Sequence, residues 1–237
     1  MTVPAPPSSP DAMEKAEYAA GIALVDAAIA AGIDTIIWST LPSYRALSGG
    51  RFPRVAVFEA KAGVEGYIRA RKAEGRIKGV FISPGYLLPL RRETRIPLVD
   101  GGRDVGRFVA AVLGCGDERF VGRTVAASEG VYTVGEIVEA LGKATGKRVV
   151  FREVDAGEWE AGLREAAGDV AGVLADAMGA LREIGHYSAD KEEEERMIRW
   201  AVDNAGGKMR TLEEFMADGP KQLVGGGEFK FAGNGGQ

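Results

Sequence analysis

Few residues in this chain can do chemistry on their own. It has one cysteine, Cys115, and one histidine, His186. A single thiol cannot form an internal disulfide, so a reducing compartment is expected. Cys115 follows an apolar helix pattern and reads as a buried, inert thiol. A lone histidine without a second imidazole or a nearby thiol cannot anchor a zinc site, and His186 reads as a surface packing residue. Aromatic residues make up only 8% of the chain, and Trp38, Trp159 and Trp200 read as core. No apolar run is long enough to span a bilayer. The net charge of -4 gives no electrostatic reason to expect nucleic acid or an anionic membrane. The first residues, MTVPAPPSSP, lack the basic and apolar blocks of a secretory signal. A cytoplasmic protein is therefore expected, or a nuclear one if its role is regulatory.

What the chain does have is alternation of helix and strand. Glu17 to Leu41 reads EYAAGIALVDAAIAAGIDTIIWSTL. Tyr18, Ile22, Val25 and Ile29 share one helical face, and Gly32 supplies the stop. Ile33 to Trp38 is short, apolar and β-branched, as a strand buried on both faces would be. Leu41 to Pro53 reads as a loop. A second helix is expected over about 59–74, with Ala60, Val64, Tyr67 and Ile68 inward, and a strand over 78–83. Further strands are expected at 96–99, 123–127 and 148–154, with a helix over about 103–113. Thr133 and Glu136 form a capping box that opens a helix ending at Gly146; Thr211 and Glu214 form another. The stretch 156–204 is helical in pieces, broken near Gly185, and 190–196 (DKEEEER) is a solvated helix face. The fold class is α/β: a partial Rossmann-like parallel sheet flanked by helices, with a helix-rich C-terminal lobe. The expected organisation is a disordered lead-in (1–12), one domain (13–218) and a flexible Gly-rich tail (219–237).

The blocks GIALVDAAIAAGIDTIIWSTLPS, FEAKAGVEGYIR, FISPGY, PLVDGGRDVGRFV and TLEEF, in that order, resemble the NmrA-like family, a branch of the atypical short-chain dehydrogenase/reductase proteins. The resemblance runs from about Glu14 to about Asp218. It implies a Rossmann-type core, a smaller substrate-side lobe, and descent from NAD(P)-binding proteins that include redox-sensing regulators and reductases. It also implies a missing part. Family members begin with a strand, a Gly-rich turn and a helix that hold the pyrophosphate, and this half is expected to be absent here. The segment from Gly101 to Gly106 is neither a dinucleotide fingerprint nor a Walker loop.

By the same resemblance, Lys61 aligns with a lysine that contacts the nicotinamide ribose and is catalytic in isoflavone-reductase-like relatives. The bland alternative is an ion pair with Glu65 four residues on. Ser39 and Thr40 end the first strand, where Rossmann ligands sit, and would meet a ribose or cap the next turn. Pro84, Gly85, Tyr86 and Leu87 match the stretch that passes the nicotinamide. The Tyr-x-x-x-Lys pair is missing, because Val57 precedes Lys61 by four.

Three readings follow. The leading one is a non-catalytic protein that binds a small ligand or a protein partner and uses no cofactor in the usual mode, NAD(P) being implied by resemblance alone. The second is a repurposed biosynthetic enzyme, a reductase relative or a cofactor-independent isomerase or cyclase, with Lys61, Tyr86, Ser39, Arg91 and Arg92 at its site. The third is a fragment of a full-length NAD(P)-binding protein. Loss of central strands would leave a sheet edge exposed, so self-association is expected.

Overall fold

The computed structural model describes residues 9–85, 93–114, 118–151, 156–168 and 170–218. Three strands form a parallel sheet: β1 (Thr35–Ser39), β2 (Lys78–Pro84) and β4 (Thr124–Ala127), in the order β1-β2-β4. The register pairs Ile37 with Val80 and Ser39 with Ile82, then Ile82 with Val125 and Pro84 with Ala127. β2 lies between its neighbours and is buried from Gly79 to Ser83. That explains its continuous apolar run, because both faces of a central parallel strand are covered.

Helices α1 (Pro10–Ala30) and α3 (Ala56–Ala73) cover one face. There Val25, Val64, Ile68, Ile77 and Phe81 form a cluster, with Ile36 and Trp38 packed against it. Gly21 permits this close approach: a Cβ there would overlap a methyl of Val64. Helices α4 (Val105–Gly114) and α8 (Lys191–Asn204) cover the other face. That side buries Val80, Ile82, Phe108, Val125 and Ala201. Odd and even residues of β2 therefore serve opposite layers, as the two-residue strand period requires.

A second sheet pairs β3 (Arg95–Leu98) with β5 (Gly130–Thr133), antiparallel. It joins α5 (Val134–Thr145), α6 (Ala156–Ala167), α7 (Val170–Ile184) and α9 (Leu212–Asp218) in a helix-rich lobe. Ile96, Val134 and Leu181 form its small core. Arg54, ahead of α3, ties α7 back to the sheet domain through Asp176 and also reaches Glu160 of α6.

Several expectations are corrected. The first helix starts at Pro10, earlier than expected, because Ser9 accepts the Ala12 amide and proline takes the first helical position. The loop after β1 contains a short helix, α2 (Tyr44–Leu47), capped by Ser43. Residues 148–151 form no strand; Phe151 packs on the Ile96 cluster while Val150 is 69% exposed. Residues 152–154 of that expected strand lie outside the described residues. β5 was not expected, and it is short and only half-buried throughout. His186 is not at the surface; it is fully buried. The Thr133 capping box is complete: its hydroxyl accepts the Glu136 amide, and Glu136 accepts the Thr133 amide. Thr133→Ala should lower stability by about 1 kcal/mol in denaturant unfolding, with the slope unchanged.

Candidate functional site

In open α/β sheets, ligands meet the carboxyl ends of the strands. Here those ends are Ser39 and Thr40 after β1, Pro84 and Gly85 after β2, and Ser128 after β4. The register brings them to one edge of the sheet. Ser39 is exposed. Thr40 is buried, and its amide donates to the Ile82 carbonyl, continuing the ladder. Gly85 is held at close quarters, since a Cβ there would overlap the Pro97 carbonyl oxygen and the Ser128 hydroxyl. Tyr86, Leu87, Arg91, Arg92 and Cys115 lie outside the described residues.

Lys61 does not join this edge through its ammonium contacts. Its Nζ pairs with Glu17 of α1 at 3.1 Å and lies 5.6 Å from the centroid of the Trp38 ring. Its backbone carbonyl accepts from the Trp38 indole at 3.2 Å. Glu65, the expected helical partner, is taken by Arg69 and by the Thr124 hydroxyl.

The polar groups at the strand ends are met instead by Gly185-His186-Tyr187, the break between α7 and α8. Gly185 adopts φ 83, a left-handed turn that a side chain would strain. The next two side chains then reach the sheet. His186 Nε2 lies 3.0 Å from the Pro84 carbonyl oxygen, and its Nδ1 lies 2.7 Å from the Tyr44 hydroxyl. A carbonyl only accepts, so Nε2 carries the proton and Tyr44 donates to Nδ1. The Tyr187 hydroxyl donates to the Ser83 carbonyl at 3.0 Å, so the Ser128 hydroxyl, 2.6 Å away, donates to Tyr187. Buried Glu194 of α8 receives the backbone amides of both His186 and Tyr187 at 2.9 Å. Sequence reading missed this cluster, and the expectation that 190–196 is a solvated helix face fails at Glu194, which is buried because it accepts both amides. Its one signal was the sole histidine standing beside a glycine between two helical patterns.

Elsewhere, shallow surface grooves run along α5. One, of about 330 Å³, is lined by Gly135, Val138, Gly142 and Val149. It lies on the far lobe, apart from the strand ends. Among the described residues no cluster of three His, Cys, Asp or Glu side chains could hold a metal, and no helix is long and apolar enough to cross a membrane.

Burial pushes the His186 imidazole down from 6.5 to about 4, with the Pro84 carbonyl opposing weakly, so it is neutral at pH 7. Burial likewise raises the Tyr187 phenol. In the unfolded chain His186 protonates near 6.5; in the fold it resists down to about 4. Its contribution is therefore complete above pH 6.5 and is lost as pH falls toward 4, on the order of 3 kcal/mol in all. Urea titrations at pH 7 and pH 4.5 should show a smaller loss for His186→Gln than for the parent; equal losses would refute the assignment. Tyr187→Phe should cost about 1–3 kcal/mol at neutral pH, because it leaves a buried carbonyl and a buried hydroxyl without their partner.

The solved structures this chain resembles share its fold. NmrA, a negative transcriptional regulator in complex with NADP, superposes with a TM-score of 0.65 at 19% identity, over 90% of this chain and 73% of that one. An NADPH-dependent quinone oxidoreductase from Escherichia coli, complexed with NADPH, gives 0.60 at 17% identity, over 81% and 68%. The Citrobacter sp. triphenylmethane reductase complexed with NADP(H) gives 0.61 at 16% identity, over 88% and 80%. No curated protein matches the sequence. The profile of the NmrA-like family matches residues 10–216. The chain belongs to the NmrA-like family.

Proposed function

We infer that this chain is a non-catalytic member of its family, a binding scaffold for a small ligand or a protein partner and not a turnover enzyme for NAD(P)H. One observation carries the reading. The Ser83 and Pro84 carbonyls and the Ser128 hydroxyl, which end the strands where a Rossmann ligand would lie, are engaged by Tyr187 and His186. A dinucleotide competing for those groups would have to displace a buried, hydrogen-bonded pair. Each bond broken without replacement costs about 1–3 kcal/mol. The described residues also contain no strand, Gly-rich turn and helix of the kind that cradles a pyrophosphate. They do not fit NAD(P) in its usual mode.

Relatives of both kinds exist in this fold, a transcriptional regulator in complex with NADP, a quinone oxidoreductase and a triphenylmethane reductase, and the reading sides with the regulator as to turnover while departing from it as to NADP. The domain we assign to this role is 13–218. The single cysteine supports a reducing compartment, cytoplasmic or nuclear. Isothermal titration with NADPH should give no saturable heat, and tight binding would overturn the reading.

Lys61 supports it from another side. A catalytic lysine needs its ammonium positioned at the reacting edge, whereas the Lys61 Nζ is ion-paired with Glu17 of α1 and partly exposed. Lys61→Ala should leave the circular dichroism spectrum intact and cost less than about 1 kcal/mol. Loss of any NADPH-linked or isomerase activity in that variant would restore the enzyme reading.

A further inference from the structure

We propose that β1 and α1 form a two-fold interface with a second copy of this chain: β1 pairs antiparallel with its counterpart about Ile37, and α1 packs antiparallel with its counterpart about Ala20 and Gly21. This inference stands independently of the ligand reading above.

β1 is an edge. Among the described residues it pairs with β2 alone. It contains no proline and no lysine, two of the devices by which edges avoid pairing. The direction of its polar groups is fixed by its neighbours. The Asp34 carbonyl accepts from Lys78, and the Thr40 amide donates to Ile82. Even-numbered residues therefore face β2, and the amides and carbonyls of Thr35, Ile37 and Ser39 face outward.

That set is self-complementary. With Ile37 opposite Ile37 of the second copy, the two residues exchange both backbone hydrogen bonds, and so do Thr35 and Ser39 across the axis. Ile36 then faces Trp38 of the second copy in the closer, non-hydrogen-bonded pairing. β-Branched–aromatic and Thr–Ser pairs are favourable across strands. Centring the pair on Ile36 instead would set Asp34 against Trp38.

The helix obeys the same symmetry. Away from Gly21 and Val25, α1 exposes Ala16, Ala20, Ala23, Leu24 and Ala27, an apolar strip flanked by exposed Lys15 and Asp26. Such an apolar strip on an exposed helix side is surface that a partner can cover. Lys15 and Asp26, both exposed, lie on one flank three turns apart. Their midpoint falls between Ala20 and Gly21. An antiparallel pair about that point sets each Lys15 against Asp26 of the second copy. Among the described residues Lys15 has no ion-pair partner. Asp26 accepts from the Tyr67 hydroxyl through Oδ1.

The two centres also coincide. A Cβ built on Gly21 would lie 3.3 Å from the tip of the Trp38 ring. The middle of α1 thus sits over the side chain one residue beyond the middle of β1, and one axis serves both. The contact is isologous and closed, giving a dimer with a six-stranded sheet and no filament.

Sedimentation equilibrium of the full 237-residue chain should give twice its 25.0 kDa mass. Lys15→Glu should weaken the dimer roughly tenfold, and adding Asp26→Lys should restore it. Ala23→Glu should leave a monomer with an unchanged far-ultraviolet spectrum. A monomer at every concentration tested overturns the proposal, whatever else covers this face. So does a dimer indifferent to Lys15→Glu and Ala23→Glu, which would place the contact elsewhere.

Discussion

The contact on which the rest of this molecule depends is the seating of His186 and Tyr187 on the ends of β2. A parallel strand leaves carbonyls at its carboxyl end with nothing beyond them, and buried carbonyls require donors. Here two side chains from a single helix break supply those donors, to Pro84 and Ser83. Glu194 holds both of their backbone amides from the first turn of α8, where a carboxylate also complements the helix dipole. One turn of chain thus fixes the angle between α7 and α8, satisfies the sheet, and positions the helix whose Ile198 and Ala201 pack beneath β4. Tyr44 extends the arrangement to α2 through the imidazole and stacks on Phe58 of α3. Four elements therefore share a single polar knot.

Burial makes that knot rigid in its protonation as well as its geometry. A neutral imidazole with its tautomer fixed by a carbonyl on one side and a phenol on the other gains nothing from a proton, because burial disfavours the charged ring. The surrounding ion pairs act differently. Arg54 meets Asp176 and Glu160, and hydrogen bonding to those two carboxylates raises its already high pKa. That clamp is partly exposed on the arginine side, so it contributes orientation between core and lobe more than free energy.

Most of the fold was legible in the sequence because its signals are local. The Gly79-to-Ser83 block of β2 and the capping box at Thr133 declare themselves within a few residues. Gly146 does too, closing α5 at φ 64. The β-branched run of β1 announces a strand but not its place: it reads as buried on both faces, whereas the strand is only partly buried and pairs with β2 alone among the described residues. The misreadings concern partners far away in the chain. Glu65 is the obvious mate for Lys61 by helical spacing, yet Glu17 wins because the Gly21 and Gly63 contacts bring α1 and α3 close. Four half-buried residues of β5 carry too little periodicity to be seen. His186 looks like a surface residue until the Tyr44 hydroxyl and the Pro84 carbonyl are brought to it, and no local pattern encodes either.

The same distinction bears on what the family fold can do in this chain. A parallel sheet offers a partner two things: acceptor groups at its strand ends and an unpaired edge. In this protein the strand-end acceptors of β2 are internally satisfied, whereas the edge of β1 keeps its hydrogen-bonding groups outward. Ligand chemistry at the strand ends therefore competes with buried hydrogen bonds, while along the edge no other described strand competes for the outward groups. Backbone groups in water lose little on exchanging that water for another strand, and the apolar surface of Ile36, Trp38 and Leu24 beside them adds a driving force. If β1 pairs with a second copy as proposed, that association draws on groups the fold leaves outward, whereas small-molecule capture at the strand ends would draw on groups the fold already uses.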